Sequence, residues 1–184
     1  MIICITGLPG AGKSTAGKIL GRMGYRIYEL GDIVREMMNE QGIKLTPESD
    51  RQFTMSLRKR HGNLVTVRYL LKKVKLGSNR NIAIVGIRSK AELDYIRKRA
   101  KVVTIAVVAP VKLRFERIKR RRRPDAPGTI AEFVRDRDEK EAKWGELAAI
   151  KSADYIVSGA GNIVGLRHAV RTVLKAESHR GKAF

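Results

Sequence analysis

The chain has one cysteine, Cys4, so an intrachain disulfide and a cysteine-built metal cluster are both excluded. Aromatic residues are only 5% of the 184 positions, and none alternate with basic residues along a strand as base-stacking platforms would. Histidine is as sparse. His61, His168 and His179 are too scattered for a metal site or a catalytic triad, and surface positions are expected for them. No apolar run approaches the roughly 18 residues that a membrane span needs. Met1 leads directly into an apolar segment with no charged leader or cleavage site, so a cytoplasmic protein is expected. Acidic residues are also scarce: 18 Asp and Glu stand against 39 Lys and Arg, for a net charge of +21. The 43% hydrophobic content is ordinary for a globular chain, and the length fits one domain spanning 1–184.

Against these absences, residues 7 to 14 read GLPGAGKS and fit the phosphate-binding pattern G-x-x-x-x-G-K-[ST]. The context is the one the pattern requires. Met1 to Thr6 is a continuous apolar run suited to a buried parallel strand, and Ala16, Ile19, Leu20 and Met23 share one face of a following helix. Gly7, Gly10 and Gly12 let backbone N-H groups turn toward phosphate oxygens, and the helix adds its positive dipole end. ATP is therefore expected on Gly7, Pro9, Gly10, Ala11, Gly12, Lys13, Ser14 and Thr15. Lys13 would reach the β- and γ-phosphates, and the Ser14 hydroxyl would ligate Mg²⁺.

The rest of the chain alternates between strand and helix patterns. Further strands are expected at 26–30, 81–85, 102–109 and 154–157, with amphipathic helical segments between them. This predicts an α/β fold: a three-layer α/β/α P-loop NTPase with a parallel sheet of about five strands. Gly42 and Pro47 break the segment before the third strand into helices near 32–41, 47–60 and 63–75, a helical insertion over 32–76. Trp144 is expected to pack the return helix onto the core, and the tail 177–184 is expected to be disordered.

Ligands of open parallel sheets bind beyond the carboxyl ends of the strands. After the second strand comes Gly31-Asp32-Ile33-Val34-Arg35, and after the third comes Gly86-Ile87-Arg88-Ser89. Here the chain resembles the nucleoside monophosphate kinases, whose matching arginines hold the phosphate of the acceptor nucleotide. Its layout also resembles an archaeal family of adenylate-kinase-related proteins, itself similar to dephospho-coenzyme A kinases. The shared features are GLPGxGKS, GDxVRE, GIRS, a basic RFERxxxR stretch and the ADYxxV matched by Ala153 to Val157. The resemblance implies an acceptor site at Asp32, Arg35 and Arg88. Planar guanidinium forks suit a phosphate independently of it, because they bind in two-point fashion.

Residues 114 to 123, RFERIKRRRR, hold seven basic side chains in ten. In nucleotide kinases this region is a lid that closes over the triphosphate, which makes Arg117, Arg120, Arg123 and Arg137 the candidates, within a lid over 117–137. Those kinases commonly place an aspartate at the end of the third strand to hold Mg²⁺, where this chain has Val85. Asp32 is the nearest substitute, matching a catalytic aspartate proposed in dephospho-coenzyme A kinases; it is a candidate for metal contact through water and for catalysis. The expected reaction is transfer of the γ-phosphoryl of ATP to a nucleoside monophosphate such as AMP, with dephospho-coenzyme A as the alternative acceptor. A different class of reading comes from charge. Segments 58–75 and 111–123 each carry a net +7, which favours nonspecific contact with nucleic acid and an RNA- or ribosome-associated ATPase switch.

Overall fold

The computed structural model describes residues 1–74, 81–120 and 128–180. Strand β1 (Ile2–Thr6) is buried along its whole length. Its alternating side chains feed two cores, Ile3 and Ile5 on one face and Ile2 and Cys4 on the other. A strand covered on both sides needs apolar residues at every position, which is why this stretch reads as a run and not as an alternation. Strands β2 (Arg26–Glu29), β3 (Ile82–Ile87), β4 (Val102–Val108) and β5 (Tyr155–Ser158) complete a parallel sheet in the order β2-β3-β1-β4-β5. The expected five parallel strands are all present, with ends displaced by one or two residues.

Helices α1 (Lys13–Gly21) and α10 (Ile163–Arg180) cover the first face through Ala16, Ile19, Leu20, Leu166, Val170 and Val173. The second face lies under α2 (Leu30–Glu40), α4 (Val65–Lys73), α5 (Lys90–Arg97) and α9 (Glu146–Lys151), which contribute Ile33, Val67, Leu70, Leu93, Ile96 and Ala149. Helix α3 (Pro47–His61) lies between α2 and α4, so the segment before β3 is a helical insertion. It starts where a capping box allows: Thr46 accepts from the Ser49 amide while Ser49 answers the Thr46 amide. After β4 come α6 (Val111–Arg120), α7 (Ile130–Phe133), a π-helical stretch Val134–Asp138 and α8 (Glu139–Lys143).

Two local features aim the site. Gly86, with φ of 93°, is an extra residue between Val85 and Ile87 in the pairing with β1. This bulge turns Ile87 onto the α5 face and delivers Arg88 beyond the strand end. At the other side of the sheet, Asp154 accepts from the Thr104 amide at 2.7 Å and pairs with Arg97, which sets β5 beside β4. The aspartate of the ADY segment is thus a strand-docking residue.

The expected disorder from 177 is corrected as far as Arg180. Helix α10 runs through that point because Val170 and Val173 bury its inner face and the Tyr155 hydroxyl donates to Glu177 at 2.6 Å. Residues 181–184 lie outside the described residues.

Candidate functional site

The loop between β1 and α1 takes its shape from glycine. Gly7, Gly10 and Gly12 have φ of 137°, 81° and 114°, a region that L side chains avoid. Neighbours close the space as well: a Cβ on Gly7 would lie 2.1 Å from the Val107 carbonyl oxygen, and one on Gly10 would lie 2.6 Å from that of Arg114. Helix α1 has no acidic residue in its first turn, so its positive end faces the loop without compensation. The Lys13 ammonium donates to the Gly7 carbonyl and stands 3.5 Å from Glu146.

Beside the loop is a cavity of about 360 Å³, lined among others by Gly12, Thr15, Arg117, Arg120, Gly159 and Asn162. Its size is in the range of small-ligand sites. Gly159 has to be glycine, since a Cβ there would meet the Ala11 carbonyl oxygen at 2.0 Å.

The arginine-rich segment divides by function. Arg117 donates to the carbonyls of Gly10, Ala11 and Gly159, the last at 2.6 Å, and so clasps the phosphate loop to the turn after β5. Arg120 is an exposed residue at the cavity wall. Arg123 falls outside the described residues, and Arg137 lies in the π-helical stretch on the return path. The sequence reading passed over Arg114, which is 4% exposed. It makes a two-point contact with Asp138 at 2.7 and 2.6 Å and donates to the carbonyls of Ala109 and of Pro9, a residue of the loop itself. Its signal was spacing: Arg114 and Arg117 share a helical face.

The carboxylate for Ser14 is Glu29, which corrects the choice of Asp32 as the nearest substitute. The Ser14 hydroxyl donates to Glu29 at 3.1 Å. Glu29 stands opposite Val85 in the parallel register of β2 and β3, so the two side chains project to the same sheet face, where α1 begins. An acid thus stands beside Ser14 one strand over from Val85. Val85 belongs to the α1 core, where a Cβ on Gly17 would be 2.9 Å from its methyl group. Asp32 instead pairs with Arg35, and its side chain is 63% exposed.

Arg88 reaches the other side of the loop. It pairs with Glu141 and lies 5.7 Å from the Trp144 ring, whose other cationic neighbour is Arg58 at 4.4 Å. Trp144 thus packs against two guanidinium groups. Glu92 accepts from the Arg88 and Ser89 amides at 2.7 and 3.1 Å and faces Arg58 at 3.9 Å. With Lys13 and Glu146, three cations and three carboxylates meet at one place. Burial lowers the Arg58 pKa, offset by Glu92, and raises that of Glu92 itself, offset by the Arg88 amide. Burial also pushes Glu146 up to about 8, with Lys13 pulling it down and Glu141 pushing it further up. Burial thus favours the neutral acid of Glu146 beyond the usual carboxylate range. Sequence reasoning missed Arg58, Glu141 and Glu146, since they come from separate helices with no shared motif. Asp32 and Arg35 form their own exposed pair at the start of α2.

No helix among the described residues is long and apolar enough to cross a membrane. Residues 3–143 match the AAA domain family. The chain is 39% identical over 157 residues to a UPF0200 protein of Hyperthermus butylicus, covering 85% of this chain and 84% of the relative. In fold it is similar to a shikimate kinase of Bacteroides thetaiotaomicron, with TM-score 0.68, 17% identity and coverage of 97% of this chain and 98% of that one. A gluconokinase of Sinorhizobium meliloti gives TM-score 0.57 at 17% identity, covering 99% and 97%. The likeness in fold extends over nearly the whole chain, and by sequence the chain belongs to the UPF0200 family and carries the AAA domain over residues 3–143.

Proposed function

We propose that this chain is an Mg²⁺-dependent phosphotransferase that moves the γ-phosphoryl group of ATP to a nucleoside monophosphate such as AMP. The observation that carries the reading is the Ser14 and Glu29 pair beside Lys13 at the mouth of a glycine loop. A phosphate cradle alone binds a nucleotide; a hydroxyl and a carboxylate 3.1 Å apart at its edge add the hard oxygen donors that suit Mg²⁺. Bound there, Mg²⁺ would neutralise charge on the β- and γ-phosphate oxygens. Lys13 exchanges the Gly7 carbonyl for the same oxygens. Arg117 and Arg120 flank the cavity that takes the base end of the nucleotide. Arg88 and Arg35, beyond the ends of β3 and β2, exchange their carboxylate partners for the acceptor phosphate and hold it in line.

One observation favours a second reading. Arg88 and Arg35 already have carboxylate partners, and a carboxylate-rich site also suits a hydroxyl acceptor such as dephospho-coenzyme A, with Asp32 as general base. A panel of AMP, other monophosphates, dephospho-coenzyme A and RNA, incubated with MgATP and assayed for phosphorylated product, separates the readings. ADP formed in step with AMP consumption is the expected result. Transfer confined to dephospho-coenzyme A overturns the monophosphate assignment. Salt-sensitive hydrolysis raised by RNA, with no acceptor product, makes the protein an ATPase switch instead.

A further inference from the structure

The mechanism above gives Glu146 no part, yet the residue is built into the site. It is 1% exposed, no N-H or hydroxyl donor reaches either oxygen, and its hydrogen-bonding neighbour is the Glu141 carboxyl, which has no proton to give while ionised. Its nearest cation is the Lys13 ammonium, 3.5 Å from Oε1 and too far for a strong hydrogen bond. A buried carboxyl left in that condition is costly unless a proton or a ligand completes it.

We propose that Glu146 is a positioning residue of the phosphate site: in its ionised form it holds the Lys13 ammonium in the place seen here, and that form takes a proton from solvent when MgATP draws the ammonium onto the phosphates. The proposal rests on the reading of the loop as an ATP site. Lys13 cannot serve both partners. Once it turns to the β- and γ-phosphates, a buried carboxylate loses its cation and gains anions nearby, and both changes favour the neutral acid. The proton goes from water to the Glu146 carboxylate, and no other bond changes.

The surrounding groups fix the sign. Facing Glu146 are Lys13 of α1, Arg88 beyond β3, Glu141 of α8 and Arg58 of α3, with Glu92 of α5 in the same cluster. Cys4 of β1 stays neutral across the relevant range, its thiol pushed up to about 12 by burial. Without nucleotide, burial pushes Glu146 up to about 8. With Lys13 withdrawn its pKa should rise further, since Lys13 is what pulls it down. MgATP affinity is therefore full below about pH 8 and falls as pH rises above it, approaching about tenfold per unit, because the bound state holds one more proton.

Calorimetric titration of MgATP, without acceptor, tests this between pH 7 and about 9.5 in two buffers of different ionisation heat. The wild type is expected to take up close to one proton per nucleotide above pH 8 and to lose affinity about tenfold per unit. Glu146→Gln should show neither. In Glu141→Gln the break should move to lower pH, since a carboxylate that raises the Glu146 pKa is gone. Binding that stays tight and pH-independent in the wild type overturns the proposal and leaves the phosphotransferase reading intact, as does proton uptake that survives in Glu146→Gln. No MgATP binding at any pH overturns both.

Discussion

Two arginine clusters flank the phosphate loop, and they differ in what they lack. On the α6 side, Arg114 and Arg117 spend their donors on Asp138 and on the carbonyls of Pro9, Gly10, Ala11, Ala109 and Gly159. Neither leaves a buried side-chain atom unmatched. On the α9 side, Arg58, Glu92, Glu141 and Glu146 hold every unmatched buried side-chain atom identified among the described residues. Folded proteins pair nearly all such atoms, so their concentration at one place fits the proposed role of a proton and a ligand there. The first cluster is a brace for the loop. The second is the cluster proposed to act through a ligand and a proton.

The largest effect should come from the brace. Arg114→Leu leaves the half-buried Asp138 without its partner and should destabilise the fold by about 3 to 5 kcal/mol, read from the denaturant midpoint. A loss under about 1 kcal/mol would place Arg114 among ordinary surface pairs and dissolve the contrast. Next comes Lys13→Ala, which should lower phosphoryl transfer by about two to three orders of magnitude while leaving the midpoint near wild type. Near-normal turnover would remove Lys13 from the reaction.

A smaller change is expected from Glu29→Gln. The Mg²⁺ concentration for half-maximal transfer should rise about 10- to 100-fold, and a curve superimposing on wild type would free Glu29 of any metal role. The smallest effect belongs to the second cluster. Glu146→Gln puts a neutral amide where burial already favours the neutral acid and should change stability at pH 7 by less than about 1 kcal/mol. A loss comparable to that of Arg114→Leu would show Glu146 to be a second brace.

The sheet and the phosphate loop were legible in the sequence because each is written locally. Apolar runs such as Met1 to Thr6 and the spacing of Gly7, Gly12 and Lys13 fix strand, turn and helix without help from distant residues. Strand-end placement of Arg88 was also readable, although the Gly86 bulge that aims it was not. Glu29 was in view as a strand residue. Its role depended on register, since only the pairing of β2 with β3 puts it on the Val85 face and within reach of Ser14. The carboxylate cluster was hidden for a stronger reason. Arg58, Glu92, Glu141 and Glu146 lie on four different helices, and each alone reads as a solvated charge on an amphipathic face.

The central claim is that the loop and its two clusters transfer a phosphoryl group to a small acceptor. The most direct test is a single turnover, with protein in excess of γ-labelled MgATP and AMP present, following the label at short times. The account predicts that the label moves into ADP, one per ATP consumed, and that Lys13→Ala slows the movement by about two to three orders of magnitude. Label released only as inorganic phosphate, with AMP or any other small acceptor left unmodified, would contradict it.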